Sequence, residues 1–220
     1  MEGALLAIDT ATTRVVIAIG SFGGDIAGTT TWVAGYRHGE TLLPTLETFL
    51  ADRELGRDDV AGIVVGTGPG AFTGLRVGLA TAKGLAHAAR IPLVGVSTAE
   101  ALLHAAGDSI GVVLLPAGRS DLVIVRRGEA PRLLPGGTEP EVAPGEAVMA
   151  VDLDGRAPVD AATRGEAARE GLGQALLRLG AARLQAHPDG ELAVVVPEYV
   201  TLPRGVRAAT GTVAWSRDPR

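Results

Sequence analysis

The amino-acid sequence predicts an α/β protein in which a mixed β-sheet is flanked by helices. The first observation is the order of apolar patterns between residues 4 and 106, where three strands are followed by alternating helices and strands. The second is a change near Gly107-Asp108, beyond which residues 128–158 are dense in Pro and Gly. We therefore divide the chain into residues 1–106 and a smaller, more divergent part, residues 107–220.

The elements of the first part follow from the period of their apolar residues. Two short apolar runs at residues 4–9 and 15–20 and a threonine-rich run at 26–33, joined by tight turns, predict an antiparallel meander whose third strand is a half-exposed edge strand. Ser97 and Glu100 form a capping-box pattern before the last helix. The helices are predicted at 41–54, 75–89 and 99–106, and the strands between them at 63–66 and 92–96.

The second part is less regular. Apolar runs predict strands at 110–115, 122–125, 146–152 and 192–196. One amphipathic helix is predicted over residues 163–185, and residues 201–220 are expected to form a partly ordered tail.

Composition excludes several functions. The chain has no cysteine, which excludes disulfides, thiolate metal sites and a cysteine nucleophile. Its net charge of −5 disfavours unaided binding to RNA or DNA, which usually requires a basic surplus. No basic N-terminal region precedes an apolar run, and no run reaches membrane-spanning length, so we expect a cytoplasmic protein without membrane contact.

The most unusual stretch runs from Gly66 to Arg76, between a predicted strand and a predicted helix. That order places free backbone N–H groups at a helix N-terminus, where anions bind. It is not a P-loop, because no Lys-Ser or Lys-Thr follows its last glycine, and a proline interrupts any Rossmann fingerprint. Two interpretations stay open, an anion cradle and close packing against a neighbouring backbone. The residues of the anion or nucleotide interpretation are Asp9, Thr10, Gly68, Gly70, Thr73, Gly74 and Arg76.

Asp9 and Thr10 end the first predicted strand. A carboxylate followed by hydroxyls in a turn can face a nucleotide phosphate or its metal. The alternative is that both residues end the strand and hydrogen-bond the turn. Ala11 favours this alternative, because its methyl group obstructs the approach of a phosphate.

The predicted helices 41–54 and 75–89 are candidates for a protein interface. Small residues at three- and four-residue spacing in the second helix let another helix approach closely, although packing within the chain is the alternative. Together with the leucines of the first helix they would present a joint apolar surface. The expected interface residues are Leu42, Leu43, Leu46, Leu50, Leu75, Gly78, Leu79, Ala82 and Ala86.

Residues for independent catalysis are sparse. The four histidines are isolated, so no helical metal pair exists, and each is expected at the surface or in a turn. No Gly-x-Ser-x-Gly elbow is present. We assign no catalytic residue and no metal ligand.

Three segments resemble the bacterial TsaB (YeaZ) family. Residues 7–12 resemble its opening motif, residues 68–78 its most distinctive motif, and residues 92–98 the strand that follows, with a weaker similarity at 197–200. The resemblance covers roughly residues 4 to 104 in the family's order and spacing. It implies a two-lobed RNase H-like/actin-like (ASKHA) fold.

The resemblance also implies a function. TsaB proteins are non-catalytic subunits of the machinery that makes threonylcarbamoyladenosine, the modified adenosine next to the anticodon of tRNA. They bind and activate the catalytic TsaD through the two helices named above, and the small ATPase TsaE completes the complex. For this chain the resemblance implies a homodimer in isolation and contact with tRNA only through the complex. It implies no intrinsic cofactor, with ATP or ADP bound only within the complex.

Two positions depart from the family pattern. Ala71 stands where the family usually has serine, and Pro116 stands where it usually has aspartate. The chain also lacks the HxxxH metal site of TsaD. These features count against the alternative function, an ATP-binding phosphotransferase or a glycoprotease-like peptidase of the actin-like superfamily.

Overall fold

A computed structural model describes residues 3–35 and 37–200, which form two mixed β-sheets flanked by helices. The first group of elements includes a short 3₁₀ turn at Arg57–Asp59. In chain order it contains β1 (Ala4–Asp9), β2 (Arg14–Gly20), β3 (Ile26–Val33), α1 (His38–Ala51), β4 (Val60–Gly66), α2 (Phe72–Ala89), β5 (Leu93–Val96) and α3 (Thr98–Ala106). The second group contains β6 (Ile110–Ala117), β7 (Asp121–Arg126), β8 (Arg132–Leu134), β9 (Ala147–Ala150), α4 (Val159–Glu170) and α5 (Leu172–Ala186).

The first sheet has the strand order β3-β2-β1-β4-β5. The meander β1-β2-β3 is antiparallel, and β3 is an edge strand with alternating exposure, as predicted. β4 pairs in parallel with both β1 and β5, so the carboxyl ends of these three strands lie at one edge of the sheet. That edge carries Asp9, Gly66 and Ser97.

Apolar cores cover both faces of this sheet. Leucines of α1 and α2 pack on one face with Ile8, Ile17 and Ile63. On the other face α3 and α5 pack in a second core that also includes side chains of the second sheet. α5 approaches closely because it has glycine where the sheet is nearest: a Cβ at Gly180 would lie 2.2 Å from Val64. A helix of the second part thus packs against the sheet of the first.

The second sheet has the order β8-β7-β6-β9, with β6 and β9 parallel. α4 packs against β9, and Gly165 of α4 lies directly over the carbonyl oxygen of Ala150. A smaller apolar cluster that includes Val112, Ile124 and Ala161 stabilises this part. The three-residue strand β8 was not predicted, because a run so short carries no period.

Three predictions of secondary structure are corrected. The helix expected over 163–185 is two helices, α4 and α5, which meet at Gly171. The strand expected at 192–196 is wrong, since residues 192–194 form a turn. Ser97 accepts a hydrogen bond from the Glu100 amide as a cap, but the Glu100 carboxylate pairs with Arg183 instead of completing a capping box. The tail predicted at 201–220 lies outside the described residues.

Candidate functional site

The glycine turn, residues 66–74, packs against the β1–β2 turn, residues 10–13. The amide of Ala71 donates to the carbonyl of Ala11 at 2.7 Å. The hydroxyl of Thr10 donates to the carbonyl of Gly74, also at 2.7 Å. These two bonds join the first turn of α2 to the end of β1.

Glycine is required in this turn because the neighbouring backbone comes so close. A Cβ at Gly70 would lie 2.1 Å from the carbonyl oxygen of Ala11, and one at Gly74 would lie 2.1 Å from that of Thr10. Gly68 has a φ of +98°, a conformation that other residues rarely adopt. Close packing within the chain therefore accounts for the glycines, whereas anion binding at them stays a prediction.

Asp9 is fully buried at the centre of this contact. Its carboxylate accepts hydrogen bonds from the Thr98 hydroxyl at 2.6 Å and from the Ala11 amide at 2.9 Å. Burial raises the pKa of Asp9 to about 6, although both hydrogen bonds act in the opposite direction. A Cβ at Gly66 would lie 1.8 Å from a carboxylate oxygen. Asp9 hydrogen-bonds its own turn and the start of α3, and solvent does not reach it.

The start of α3 holds the glycine turn from the other side. The Thr98 amide donates to the Gly68 carbonyl at 2.7 Å, and the Gly68 amide donates to the Thr98 hydroxyl at 3.1 Å. The Ser97 hydroxyl lies 3.0 Å from both the Gly68 carbonyl and a carboxylate oxygen of Glu198. Burial raises the pKa of Glu198. Apart from the family-like segment 197–200, no local pattern in the sequence indicates these contacts.

Arg76 belongs to an exposed cluster with two aromatic side chains, which we call the Arg76 cluster. Its guanidinium lies 3.7 Å above the ring centre of Phe72. Its Nε donates to the Tyr199 hydroxyl at 3.1 Å, and the two rings are 5.2 Å apart. Thr73, in the first turn of α2, is exposed nearby in sequence. Sequence reasoning found Arg76 but missed Phe72 and Tyr199.

A cleft of about 660 Å³ lies between the glycine turn and the second sheet. Ala71 and Pro116, the two positions that depart from the family pattern, line this cleft, and so does Ala11, whose methyl group would obstruct a phosphate. Across it, the Thr13 amide and hydroxyl donate to the Asp152 carboxylate at 2.7 and 2.5 Å. Asp152 also pairs with the buried Arg169. This pairing ties the β1–β2 turn to the second sheet.

The predicted interface residues are mostly not at the surface. Of the nine, only Leu43 is exposed, with 46% of its surface accessible. The others pack inside the chain, and a Cβ at Gly78 would lie 2.2 Å from the Thr10 hydroxyl. The row of small residues in α2 is therefore explained by packing within the chain. The other eight are buried in the isolated chain, and their part in a partner contact stays a prediction: Leu42, Leu46, Leu50, Leu75, Gly78, Leu79, Ala82 and Ala86.

α1 and α2 do form an apolar cleft of about 360 Å³ near their C-terminal ends, here called the helix cleft. Leu6 and Ile63 of the sheet line it, with Arg57 and Asp58 also present. Its walls from the two helices are formed by Leu46, Leu50, Leu85, Ala88 and Ala89.

Other functional features are sparse in the described part of the chain. Within residues 3–35 and 37–200, no three His, Asp or Glu side chains are grouped closely enough to hold a metal ion. No helix among those residues has the length and apolarity needed to cross a membrane. The prediction that every histidine lies at the surface or in a turn is wrong for His38, which is buried in the first turn of α1 and whose pKa is lowered by that burial.

Comparison with known proteins gives consistent results. The TsaD family, described as tRNA N6-adenosine threonylcarbamoyltransferase, matches residues 25–202. The TsaB protein of Escherichia coli, described as a tRNA threonylcarbamoyladenosine biosynthesis protein, is 36% identical over 94 residues, 43% of this chain and 40% of that protein. An uncharacterised protein of Mycobacterium leprae is 39% identical over 133 residues, 59% of this chain and 36% of its own. The chain thus spans half or less of these curated relatives.

Among solved structures, YeaZ from Pseudomonas aeruginosa superimposes with a TM-score of 0.68 at 22% identity. The match covers 90% of this chain and 99% of that one. At this level of identity the likeness concerns the fold alone, and it agrees with the predicted α/β architecture of mixed sheets flanked by helices.

Proposed function

We propose a function from one premise: the chain belongs to the TsaD family, described as tRNA N6-adenosine threonylcarbamoyltransferase, and within it to the TsaB (YeaZ) proteins. We infer that it takes part in the biosynthesis of threonylcarbamoyladenosine in tRNA as a non-catalytic subunit. It binds and activates a TsaD-like catalytic partner, with a TsaE-like ATPase completing the complex. tRNA is bound within that complex, and any ATP or ADP binds there.

The helix cleft is the observation that supports a docking role. It is an apolar depression between α1 and α2, the two helices through which the resemblance implies partner binding. Leu43 lies on α1 one turn before Leu46, a residue of the cleft wall, and is a large apolar side chain that is partly exposed. An amphipathic helix of the partner fits a groove of this kind. Without the partner, a second copy of the chain would cover the same cleft and form the homodimer.

An independent enzyme is not favoured. Asp9 is buried and engaged with Thr98 and Ala11, so it does not face the cleft between the two sheets. Ala11 and Pro116 line that cleft in place of residues that would admit or hold a phosphate. Calorimetry of the isolated chain with Mg-ATP distinguishes the two functions, since tight stoichiometric binding would favour a phosphotransferase.

The docking surface is tested with the Leu43→Glu variant. A charge placed in a desolvated apolar contact should weaken TsaD binding by at least about tenfold, roughly 1.4 kcal/mol or more. Because Leu43 is exposed, the melting temperature of the isolated chain should not fall. Binding is measured by calorimetry, and the oligomeric state by sedimentation, where the variant should be monomeric.

Val159→Glu is the matched control, because Val159 is an exposed apolar residue on α4, far along the chain from the helix cleft, with 82% of its surface accessible. It should bind TsaD as the unmodified chain does. If Leu43→Glu and the control bind equally well, the docking surface lies elsewhere. If the unmodified chain fails to bind TsaD or to support threonylcarbamoylation of tRNA in a reconstituted complex, the proposed function is wrong.

A further inference from the structure

We propose that the Arg76 cluster, together with Arg119 at the neighbouring cleft, contacts the phosphate backbone of RNA. The inference rests on the proposed function, because it assigns to this subunit a direct contact with the RNA substrate of the complex. It departs from the expectation that tRNA is held only by other subunits.

The guanidinium of Arg76 is held in place by groups that do not neutralise it. Phe72 supports one face at 3.7 Å, and the Tyr199 hydroxyl accepts from Nε at 3.1 Å. Within residues 3–35 and 37–200, Arg76 forms no ion pair with a carboxylate. The side chain is exposed, so its two terminal nitrogens remain for a ligand. A planar, fixed guanidinium suits bidentate binding of a phosphate.

The aromatic residues point to nucleic acid among the possible anions. Only seven of the 220 residues are Phe, Tyr or Trp, yet two of them meet in this cluster beside an arginine. Tyr199 remains 40% exposed, and Phe72 is half-buried. Aromatic rings and arginine planes are the groups on which unstacked RNA bases rest. An acidic peptide would use the charge of Arg76 and have no use for the rings.

Two further arginines lie close by. Phe72 also lines the 660 Å³ cleft that Arg119 and Arg156 line. Arg156 donates to the carbonyl of Arg119 at 3.0 Å and so fixes that loop, while the Arg119 side chain is exposed. One carboxylate of this cleft, Asp152, is already paired with Arg169 and Thr13.

The test measures binding of an unmodified tRNA transcript to the reconstituted complex as a function of salt. The Arg76→Gln variant should lower the affinity by about three- to tenfold and reduce the slope of log affinity against log salt by about 0.7 to 0.9, the loss of one phosphate contact. Arg119→Gln, at an exposed position in the loop after β6, should have an effect of the same kind. Arg132→Gln is the control, because Arg132 is exposed on β8 and does not line the cleft; it should leave both quantities unchanged.

A purely structural role for Arg76 predicts a different result. It would lower the melting temperature while leaving the affinity and salt slope of the assembled complex unchanged, and that result would overturn the proposal. Weaker assembly of the complex, with an unchanged salt slope for the complex that still forms, would also overturn it, since the cluster would then be a protein contact. If Arg76→Gln does not fold, the Arg119→Gln result decides. Assembly of the unmodified complex is measured first, so a failure of the proposed function is seen separately.

Discussion

Replacing Asp9 with asparagine should stabilise this protein at neutral pH, although Asp9 makes two short hydrogen bonds. The carboxyl is fully buried, and burial raises its pKa from 3.8 to about 6. The folded state therefore holds the proton more tightly than the unfolded chain. Between pH 3.8 and pH 6 the folded state binds more protons, so the free energy of unfolding falls as the pH rises through this window.

The size of the effect follows from the shift. Two pKa units correspond to about 3 kcal/mol, the cost of the ionised carboxylate above pH 6. Asparagine keeps the acceptor for the Ala11 amide but places an N–H₂ group toward Thr98, whose hydroxyl must then accept. Loss of the acceptor for that hydroxyl costs about 1 kcal/mol. We therefore expect Asp9→Asn to gain about 2 kcal/mol at pH 7 and little or nothing at pH 4.

Urea denaturation of both proteins between pH 4 and pH 8 measures this directly. The difference in unfolding free energy should grow with pH across the window and become constant above about pH 7. Asp108→Asn, at an exposed position, is the control and should show no such trend. If Asp9→Asn instead destabilises the fold at pH 7, the Asp9 carboxylate is stabilised in its ionised form and the reasoning from burial fails.

Two further predictions concern contacts inside the fold, a close backbone approach and a buried ion pair, and both are measured by thermal denaturation. Gly78→Ala should destabilise the fold by about 1 to 3 kcal/mol, because the new Cβ would lie 2.2 Å from a threonine hydroxyl of the β1–β2 turn. Gly84→Ala, on the same helix with no atom within 4 Å, should stabilise it by about 0.5 to 1 kcal/mol; equal effects would contradict the role of Gly78. Asp152→Ala should cost about 3 kcal/mol, because it leaves the buried Arg169 without its main partner. Asp58→Ala, in an ion pair that is almost fully exposed, should leave the melting temperature unchanged.

The part of the fold that depends on local pattern could be predicted. The first two strands of the meander are continuous apolar runs and the third is a threonine-rich run typical of an edge strand, each bounded by turn residues, and the structure pairs them as expected. The long helix of the second part could not be divided, because the apolar period continues through Gly171 without a gap. Its break depends on tertiary packing, where a Cβ at Gly171 would lie 3.0 Å from the Ala105 side chain.

The error at residues 192–196 has a similar cause. Leu192, Val194 and Val196 alternate as in a strand, but they are the exposed residues, and Val195 is the one that is buried. The segment is held by hydrogen bonds from the Glu191 amide to the Leu93 carbonyl of β5 and from the Glu198 amide to the carbonyl of Thr67, the residue after β4. Two hydrogen bonds this far apart hold the segment against the protein, but they do not form the regular hydrogen-bond ladder of a β-strand. The alternation could be read from the sequence, but the side that faces the protein could not.

For the candidate site, sequence reasoning found the residues but not their surroundings. Asp9, Thr10, Gly70 and Gly74 are brought together by the structure. What faces them is the chain itself. A hydrogen bond such as that from Thr10 to Gly74, which joins residues 64 positions apart, leaves no local pattern in either segment. The interface leucines show the same limit. A leucine face at helical spacing marks the side of α1 that is buried, and only the structure shows that the buried side faces its own sheet.

The glycine turn connects the two surfaces proposed here. Its contacts with Thr10, Ala11 and Thr98 fix where α2 begins and how it lies on the sheet. That placement sets the helix cleft at the far end of α2 and the Arg76 cluster near its start, at opposite ends of one rigid helix. A helix rises 1.5 Å per residue, so the two surfaces are separated by roughly 20 Å. Under both proposals, one subunit contacts a TsaD-like partner through one end of α2 and RNA through the other.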